Sequence, residues 1–571
     1  MAKVSNKAPF SHHIHSVLSA VFRIVWFIAL PVRFVIGINL SILSFLGQLF
    51  QKSPLYAPFV EFSTNNQTIF VLLIALPISF VWDTYVKIRN YYVQVFLAAP
   101  LLHQERVEHV QDQVKAWNDK NRPNLMCTAR PPWQTMSLRT ATFKDNCTPI
   151  DVDLHDILYV DEERQIVCVE PMVSMGQLSR YLLPLGYQLA VSVEMDDLTV
   201  GGLINGVGIQ TNSHIYGCLT DTVSTYEIVL SDGSVVKATR EENADLYYGI
   251  PWSHGTLGFL VSVELQIIPC KPYMHLKYIP VYSAAELQSK MEVFTQEKNP
   301  NQFVEVTIYS KETSVIMVGN FADLPADLGN AKYNPTGYFW RPWFYKHVES
   351  FLTNGEGEEY MPLRHYIHRH TRSMFWELGD LIPFGNHPIY RYLFGWLGAP
   401  KVSIVKLFTN TPEIRRKTVY SHVIQDIMIP ITEMKAGIEL FDEQFAVYPL
   451  LVYPVRMFER PKEYKGLTFP LPNPSDETNP PSQMYFDLGA YGVPPAVRQG
   501  KPWDARKSIR ALEQFTRDVK GYQMLYADIF MDRDEFELMF DHEGYRELRH
   551  KYKAVGAFPE VWDKVKPQYS R

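Results

Sequence analysis

The sequence predicts an α+β protein with an apolar N-terminal segment and at least two folded domains. A length of 571 residues and a hydrophobic share of 46% allow a large core and exclude a disordered chain. Between about residues 94 and 270, short strand patterns alternate with helical ones and end at a long apolar strand. Beyond Pro272 a second set of strands and amphipathic helices follows, which indicates a separate domain.

Composition narrows the classes of function. The formal net charge of −6 gives no indication of nucleic-acid binding. The five cysteines are scattered and show no C-x-x-C spacing, which is typical of reduced thiols in a cytosolic compartment. We therefore expect no nucleic-acid partner, no disulfide framework and no metal centre.

The N-terminal part of the chain contains two apolar stretches. Residues 1–67 form a hydrophobic leader that is interrupted by proline, glycine and arginine. The leader could add a membrane helix, lie on the bilayer surface or act as a signal-like segment. Residues 68–88 predict a transmembrane helix, with a surface-lying amphipathic helix as the alternative. Lys87 and Arg89 come at its end, and the positive-inside rule then puts the rest of the chain on the cytoplasmic side.

Residues 94–270 predict the first folded domain. The apolar spacing from His103 to Lys120 indicates an amphipathic helix. A second helix is expected after Ser174, whose hydroxyl is a good N-cap, and Gly186 is expected to end it. Strand patterns flank this helix, and the strand after it leads into a glycine-rich stretch.

The glycine-rich stretch, Asp196 to Thr211, is the strongest candidate for a binding site. It contains four glycines within eight positions, and glycine costs about 0.5–1 kcal/mol relative to alanine inside a helix or strand. Exposed N–H groups in such a loop can hold a pyrophosphate, so the stretch predicts a dinucleotide site. A buried turn that binds nothing is the alternative. A Rossmann G-x-G-x-x-G is disfavoured because Thr211 occupies the third glycine position. The candidate residues are Thr199, Val200, Gly201, Gly202, Leu203, Ile204, Asn205, Gly206, Val207, Gly208, Ile209, Gln210 and Thr211, with Gly255 and Gly258 as weaker candidates.

Long and rare motifs resemble the delta(24)-sterol reductases, the family of the animal 24-dehydrocholesterol reductases (seladin) and the plant Diminuto proteins. The resemblance runs from about Thr68 to Trp562, and the first 60 or so residues depart from it. The resembling segments are 196–208, 247–260, 364–372, 382–385, 391–396 and 522–528.

The resemblance implies a fold and a division into domains. The fold is a two-subdomain FAD-binding domain of the PCMH type, shared with vanillyl-alcohol oxidase, followed by an α+β substrate cap and preceded by one or more membrane helices. In this sequence the FAD domain is expected at 94–270, the cap at 271–520, and a segment that returns to the flavin domain at 521–571. FAD is expected on the stretch from Thr199 to Thr211.

The resemblance also implies an activity. It predicts a membrane enzyme of the endoplasmic reticulum, or of the Golgi, that uses FAD and NADPH to reduce the 24,25 double bond of sterols such as desmosterol. The sterol and the lipid bilayer are the expected partners, and other enzymes of sterol synthesis could be partners too. Plant relatives act on the 24(28) bond, so the alkene that is reduced stays open.

Reduction of an isolated alkene requires an acid, a hydride source and a dry apolar slot. Protonation at C24 would leave a tertiary cation at C25, which can accept hydride from reduced flavin. Tyr526 and Asp528 are the candidate proton donors, because their segment resembles the polar motif that returns to the flavin in related oxidases. The alternative is a Tyr and an Asp that only cap a strand.

A basic run in the second domain is the candidate binding site for the phosphates of NADPH. Arg364, Arg369 and Arg372 alternate there with histidines, and guanidinium groups match phosphate bidentately. A solvated basic face or structural ion pairs would give the same pattern. A metal site is disfavoured because no carboxylate set accompanies the histidines.

Two other functions remain open from the sequence. The first is a flavin oxidase that uses oxygen on an alcohol or a sugar acid, for which covalent flavin would argue. The apolar N-terminus argues against a sugar substrate. The second is a flavin fold that serves as a non-catalytic scaffold, against which the intact glycine-rich stretch argues.

Overall fold

The computed structural model describes residues 52–92, 98, 100–296, 298–409, 414–415 and 420–567. The predicted leader therefore lies largely outside the described residues. The described chain forms two compact units. One contains the described residues up to Phe70 and those of 85–98, and the other contains Val71–Thr84 and the described residues from position 100 onward.

The predicted transmembrane segment is helical. An α-helix at Gln67–Phe70 continues through a π-helical turn at Val71–Ala75 into a second α-helix at Leu76–Tyr92. Within it, Gln67–Arg89 is long and apolar enough to cross a membrane, and it is the one such helix among the described residues. The predicted bounds of 68–88 agree with this helix.

The first folded domain is built on an antiparallel sheet. Its strands run in the order β3-β4-β8-β6-β7, and β5 pairs with β8. A separate parallel pair, β1 with β2, precedes this sheet in the chain. The bounds are Met126–Thr128 (β1), Thr148–Ile150 (β2), Ile157–Asp161 (β3), Ile166–Val169 (β4), Tyr187–Leu189 (β5), Val223–Val229 (β6), Val235–Ala238 (β7) and Phe259–Pro269 (β8).

Local sequence signals account for the helices of this domain. The predicted first helix forms at His103–Asp119, with Val107, Val110, Val114 and Trp117 buried on one face. Ser174 caps the next helix, and Gln177 completes a capping box by accepting the N–H of Ser174. Gly186 ends this part of the chain in the left-handed region, at φ +83°.

The second domain is organised by a sheet of nine strands in the order β12-β13-β9-β11-β10-β15-β16-β14-β17. All its pairs are antiparallel except β12 with β13. The bounds are Tyr273–Val281 (β9), Phe303–Ile308 (β10), Ser314–Ala322 (β11), Lys332–Tyr333 (β12), Gly357–Pro362 (β13), Val423–Pro430 (β14), Leu450–Phe458 (β15), Ser482–Gly492 (β16) and Tyr522–Gln523 (β17).

The two faces of the nine-stranded sheet differ in polarity. One face packs its aliphatic residues against the helices Ala284–Phe294, Met434–Gln444 and Ala505–Asp518. The opposite face is apolar only on the side of β9 and β11, where Phe344, Phe351 and other residues cover it. On the side of β14, β15 and β16, this face carries buried polar side chains.

The C-terminal segment contacts both domains. Strand β17 pairs with β14 of the large sheet. The backbone N–H of Leu138 donates to the carbonyl of Tyr526, and the hydroxyls of Thr256 and Tyr545 lie 2.6 Å apart. The segment therefore brings residues 525–528 to the border between the two sheets.

The α-helices that complete the structure are mostly short. They are Tyr56–Asn65, Met175–Leu182, Val200–Asn205, Ser213–Tyr216, Ala244–Gly249, Phe344–Glu349, Phe351–Asn354, Leu363–Ile367, Glu377–Leu381, Pro388–Phe394, Val402–Thr409, Pro495–Arg498, Arg533–Met539, His542–Lys551 and Val561–Val565.

Candidate flavin site and active site

The glycine-rich stretch is not the open loop that the sequence predicts. It forms a short helix, Val200–Asn205, and its first N–H groups are used within the protein. The N–H of Val200 donates to the carbonyl of Val173 at 2.9 Å, and the N–H of Gly201 donates to that of Pro171 at 2.8 Å. Other groups must therefore contribute to holding a pyrophosphate here.

The glycines of this stretch allow close packing between chain segments. A Cβ at Gly201 would lie 2.7 Å from the Cβ of Pro171, and one at Gly208 would lie 3.1 Å from the Cγ2 of Val193. Gly258 is likewise pressed against Ile228. Gly255 has φ +68°, which favours glycine. Glycine at these positions therefore allows backbone segments to pack closely together around the candidate site.

A half-buried arginine borders this helix, and a buried lysine lies near that arginine. Arg130 donates to the Thr199 hydroxyl at 3.3 Å and to the Gln134 carbonyl at 2.9 Å. Lys406 is 4% exposed, and its Nζ donates to the Pro132 carbonyl at 2.8 Å. Burial, together with the nearby cations Arg415 and Arg130, lowers the pKa of Lys406 to about 7.

The cations have too few anionic partners. Arg415 pairs with Asp528 at 2.8 Å, but no carboxylate among the described residues forms an ion pair with Arg130, Arg139 or Lys406. Arg130 Nε, Arg139 Nη2 and Arg415 Nε are buried without a hydrogen-bond partner. Isolated buried charges are costly, so a bound anion would stabilise the cluster. The diphosphate of FAD fits this requirement.

A carboxylate and two tyrosines form a second cluster where the C-terminal segment meets the large sheet. Asp426 on β14 is buried and accepts hydrogen bonds from the hydroxyls of Tyr491, at 2.7 Å, and Tyr526. Gly489 lies opposite Asp426 in the sheet, and a side chain there would collide with the carboxylate and the Tyr491 hydroxyl. Tyr526 is partly exposed as a residue, whereas Tyr491 is buried.

Two further acids lie close to this cluster. Asp487 shares the sheet face of Asp426, is buried, and has no partner for its Oδ1. Burial raises the pKa of Asp426 to about 6, and burial with Asp426 nearby raises that of Asp487. Burial also raises the pKa of Glu194, which precedes the glycine-rich stretch, to about 7. The site therefore contains groups that can hold a proton near neutral pH.

The two predicted proton donors take different positions. Tyr526 belongs to the carboxylate–tyrosine cluster. Asp528 pairs with Arg415 instead, and its backbone carbonyl accepts from Gln425 at 2.9 Å. An ion-paired carboxylate is a poor source of protons, so this geometry favours Tyr526 and disfavours Asp528.

The basic run is mostly structural. Arg369 is fully buried, pairs with Glu305 and has its guanidinium 4.5 Å from the centre of the Tyr366 ring. Arg372 donates to backbone carbonyls, including Phe339 at 3.0 Å. These contacts argue against the predicted phosphate role for both arginines. Arg364 is 36% exposed at its side chain and is only 3.4 Å from Asp196, so it stays a candidate.

Two histidines near the glycine-rich helix differ in their contacts. The ring nitrogens of His214 lie 3.2 Å from the carbonyls of Thr211 and Asn301, as expected of a histidine with structural contacts. His254 is half-buried beside Gly206, and its buried Nε2 has no partner. Burial lowers the pKa of His254 to about 3, so the ring is neutral. Among the described residues, no group of three or more His, Cys, Asp or Glu side chains could hold a metal ion.

Comparison with known proteins supports a flavin site. Residues 104–239 match the sequence model of a family described as FAD binding domain. The delta(24)-sterol reductase of Mus musculus is 46% identical over 504 residues, which cover 88% of this chain and 93% of the relative. The Homo sapiens protein of that name is 45% identical over the same shares. The chain belongs to the delta(24)-sterol reductase family. A plant member, from Arabidopsis thaliana, is 38% identical over 540 residues, or 90% of this chain and 95% of the relative.

Membership of this family confirms the predicted resemblance, and the FAD-domain match confirms the predicted cofactor. The sequence reasoning missed Asp426, Asp487 and Glu194. Asp426 and Asp487 are the single carboxylates of the strands Val423–Pro430 and Ser482–Gly492, and a lone carboxylate in a buried strand is a signal that could have identified them. Glu194 stands close to Asp196 and Asp197 in the sequence and gives no such signal. The cations Arg130, Arg139 and Lys406 give no comparable signal, because their clustering is tertiary.

Proposed function

We propose that the protein is an FAD-dependent reductase that saturates the 24,25 double bond of a sterol side chain, with NADPH as the reductant. The observation that carries the proposal is the Tyr526 hydroxyl, which is hydrogen-bonded to buried Asp426 at the border of the flavin domain. An isolated alkene has no carbonyl to accept charge, so a positioned acid is the group that its reduction needs.

The fit to FAD rests on charge and shape. Arg130 beside Thr199, with Lys406 and Arg139, would hold the diphosphate, and the helix Val200–Asn205 would form the floor. When bound, reduced FAD supplies the hydride. The protein's own residues contribute orientation, exclusion of water and the proton.

In the proposed mechanism, Tyr526 donates its phenolic proton to C24 of the sterol. The developing cation at C25 accepts hydride, so one proton and one hydride are added across the double bond. Asp426 in its protonated form then returns a proton to the Tyr526 phenolate through their hydrogen bond, and water reprotonates Asp426. Tyr491, which also bonds Asp426, keeps the carboxyl oriented.

The large sheet would act as the substrate cap. Its polar face carries Asp426 on β14 and Asp487 and Tyr491 on β16, which would face the substrate. Arg364 is the proposed contact for an NADPH phosphate. We further propose that the chain resides in the membrane of the endoplasmic reticulum, or of the Golgi, with the flavin domain on the cytoplasmic side. Contact with other sterol-pathway enzymes stays a prediction.

An anaerobic spectroscopic experiment tests the proposed function. The full-length protein in mild detergent should show a flavin spectrum that NADPH bleaches and desmosterol restores, with cholesterol as product. Tyr526→Phe should bleach normally with NADPH but reoxidise about 10²–10⁴-fold more slowly with desmosterol. Asp528→Asn, the other predicted donor, serves as the matched control and should retain most of the reoxidation rate if it binds its flavin normally. A Tyr526→Phe protein that reoxidises at the parent rate would contradict the proposed donor.

A flavin oxidase is the second candidate. It has one supporting observation: the L-gulonolactone oxidase of Mus musculus is 31% identical over 123 residues, although these cover only 22% of this chain. Flavin that ignores NADPH but reoxidises with oxygen and releases peroxide would favour the oxidase. If a 24(28)-unsaturated sterol reoxidises the reduced flavin and desmosterol does not, the double bond that the protein reduces is 24(28) and not 24,25.

A further inference from the structure

An apolar surface lies on the second domain, outside the candidate active site. We call it the aromatic surface, and it centres on the helix Pro388–Phe394 and the turn after it, where no residue is buried. A contiguous exposed apolar patch on a protein usually marks a binding surface. Its members are Phe384, Ile389, Tyr392, Leu393, Phe394 and Trp396, each between 49% and 65% exposed.

The aromatic surface contacts part of the apolar N-terminal helix. The rings of Phe80 and Trp396 meet edge to face, with their centres 5.2 Å apart. Close by, the N–H of Lys401 donates to the Ser79 hydroxyl at 3.0 Å, and its Nζ lies 2.9 Å from the carboxylate of Asp83. Ring packing, a hydrogen bond and an ion pair thus fix Val71–Thr84 against this part of the domain.

The helix segment has two different sides. Ala75, Leu76 and Ser79 are each 1% exposed. Leu73 and Val81 are 72% and 67% exposed and are apolar, so their side of the helix is suited to lipid rather than to water. The helix is therefore docked on the domain and still presents an apolar side.

The docking fixes the position of the aromatic surface relative to a membrane. Phe80 lies well inside the apolar stretch Gln67–Arg89, and Trp396 touches it. A bilayer that accommodates this helix, across the membrane or along its surface, must then also accommodate Trp396 and its neighbours. We propose that the aromatic surface is embedded among lipid acyl chains and forms a second membrane attachment, beside the N-terminal helix.

The other side of this region leads toward the candidate active site. The Nζ of Lys401 also lies 2.8 Å from the carboxylate of Asp197, near the start of the glycine-rich stretch. In the following helix, Val402–Thr409, Lys406 donates to the Pro132 carbonyl, while Leu407 is exposed. Residues 401–406 therefore contact both the docked helix and the proposed flavin site, which assigns the aromatic surface a second role in sterol entry. This sterol-entry role rests on the proposed function, whereas the lipid contact does not.

Fluorescence quenching tests the lipid contact. The full-length chain carrying Leu393→Cys is labelled with an environment-sensitive fluorophore and placed in lipid nanodiscs that contain acyl-chain spin labels. Leu538→Cys, which is 71% exposed on the helix Arg533–Met539, is the matched control, and the unsubstituted chain measures labelling of native cysteines. We expect a blue shift and loss of most fluorescence at position 393, with neither at 538. Equal and water-like emission at both positions would overturn the proposal, as would efficient 393-to-393 cross-linking between two copies.

Turnover in the same nanodiscs tests sterol entry. Leu393→Glu should raise the apparent KM for desmosterol several-fold and leave NADPH bleaching of the flavin unchanged, whereas Leu538→Glu should change neither. Quenching at 393 with an unchanged KM would retain the lipid contact and overturn the entry role. Quenching at 393 in a parent protein that reduces no sterol would retain the lipid contact and reject the proposed function.

Discussion

Replacing Asp426 with Asn should lower the activity of the protein and raise its stability. Burial raises the pKa of this carboxyl from 3.8 to about 6, so the fold disfavours its charged form. That difference corresponds to roughly 3 kcal/mol, because one pKa unit is about 1.4 kcal/mol. The folded state binds the proton more tightly than the unfolded state. Asp426 therefore lowers the stability of the parent protein progressively as pH rises from about 4 to 6.

Asn cannot ionise, so Asp426→Asn should lose this pH-dependent penalty. Relative to the parent protein, the variant should gain stability between pH 4 and pH 6 by up to roughly 3 kcal/mol. The free energy of any hydrogen bond to Tyr491 or Tyr526 that the amide fails to form is subtracted from this gain. The rate at which desmosterol reoxidises its flavin should fall, because the amide cannot return a proton to Tyr526. In the parent protein, this rate should decline as pH rises through about 6, because Asp426 then loses its proton.

The assay combines two measurements on the full-length protein with its flavin bound. Denaturant unfolding at pH 4.5 and 7 gives the free energy of unfolding, and anaerobic stopped-flow absorbance gives the reoxidation rate. A structural role would make the variant less stable at both pH values and slow NADPH bleaching as well. Reoxidation by the variant at the parent rate would refute the reasoning outright.

Three further predictions concern the flavin site and the basic run. Arg369→Ala should destabilise the protein by about 3–5 kcal/mol by leaving Glu305 buried without its partner, with no specific change in the KM for NADPH. Thermal unfolding measures the loss of stability, and steady-state kinetics measure the KM for NADPH. Arg364→Ala is the comparison variant and should raise the KM for NADPH. Arg139→Gln should weaken FAD binding at least tenfold, measured by flavin fluorescence on titration of the apoprotein, and unchanged affinity would remove Arg139 from the proposed anion site. Gly201→Ala should cost about 1–3 kcal/mol and reduce flavin content, because its Cβ would lie 2.7 Å from Pro171. An alanine variant with parental flavin content and unfolding midpoint would show that Pro171 can move aside.

Elements specified by neighbouring residues could be predicted from the sequence. The helix His103–Asp119 follows from its apolar spacing, and the capping box at Ser174 follows from residues three apart. The same holds for β3 and β4, because the apolar patterns of Ile157–Val160 and Gln165–Val169 predict these strands to within one residue at each end. Each of these signals operates within one turn of helix or one strand.

Elements that depend on distant chain segments could not be predicted in the same way. The density of glycine at 201–208 suggested exposed N–H groups, but Pro171 and Val173 occupy the first of them. Arg369 stands in a basic run that resembles a solvated face, and the fold pairs it with Glu305 in the interior. Asp426 becomes a partner of Tyr526 only through the register of β14 and the return of the C-terminal segment. Charge and glycine patterns indicate the interactions that a residue is able to make, whereas the fold determines which groups it contacts.

Because the cations near the glycine-rich helix outnumber their anionic partners, bound FAD should also stabilise the folded protein. Burial and the nearby cations Arg415 and Arg130 lower the pKa of Lys406, so an anion bound beside these cations would relieve unfavourable charge. A ligand that binds only the folded state adds stability that grows with its free concentration. Newly made chains that lack flavin should therefore open more often and be degraded sooner. Cellular riboflavin supply would then set how much of this protein survives, before any sterol is encountered.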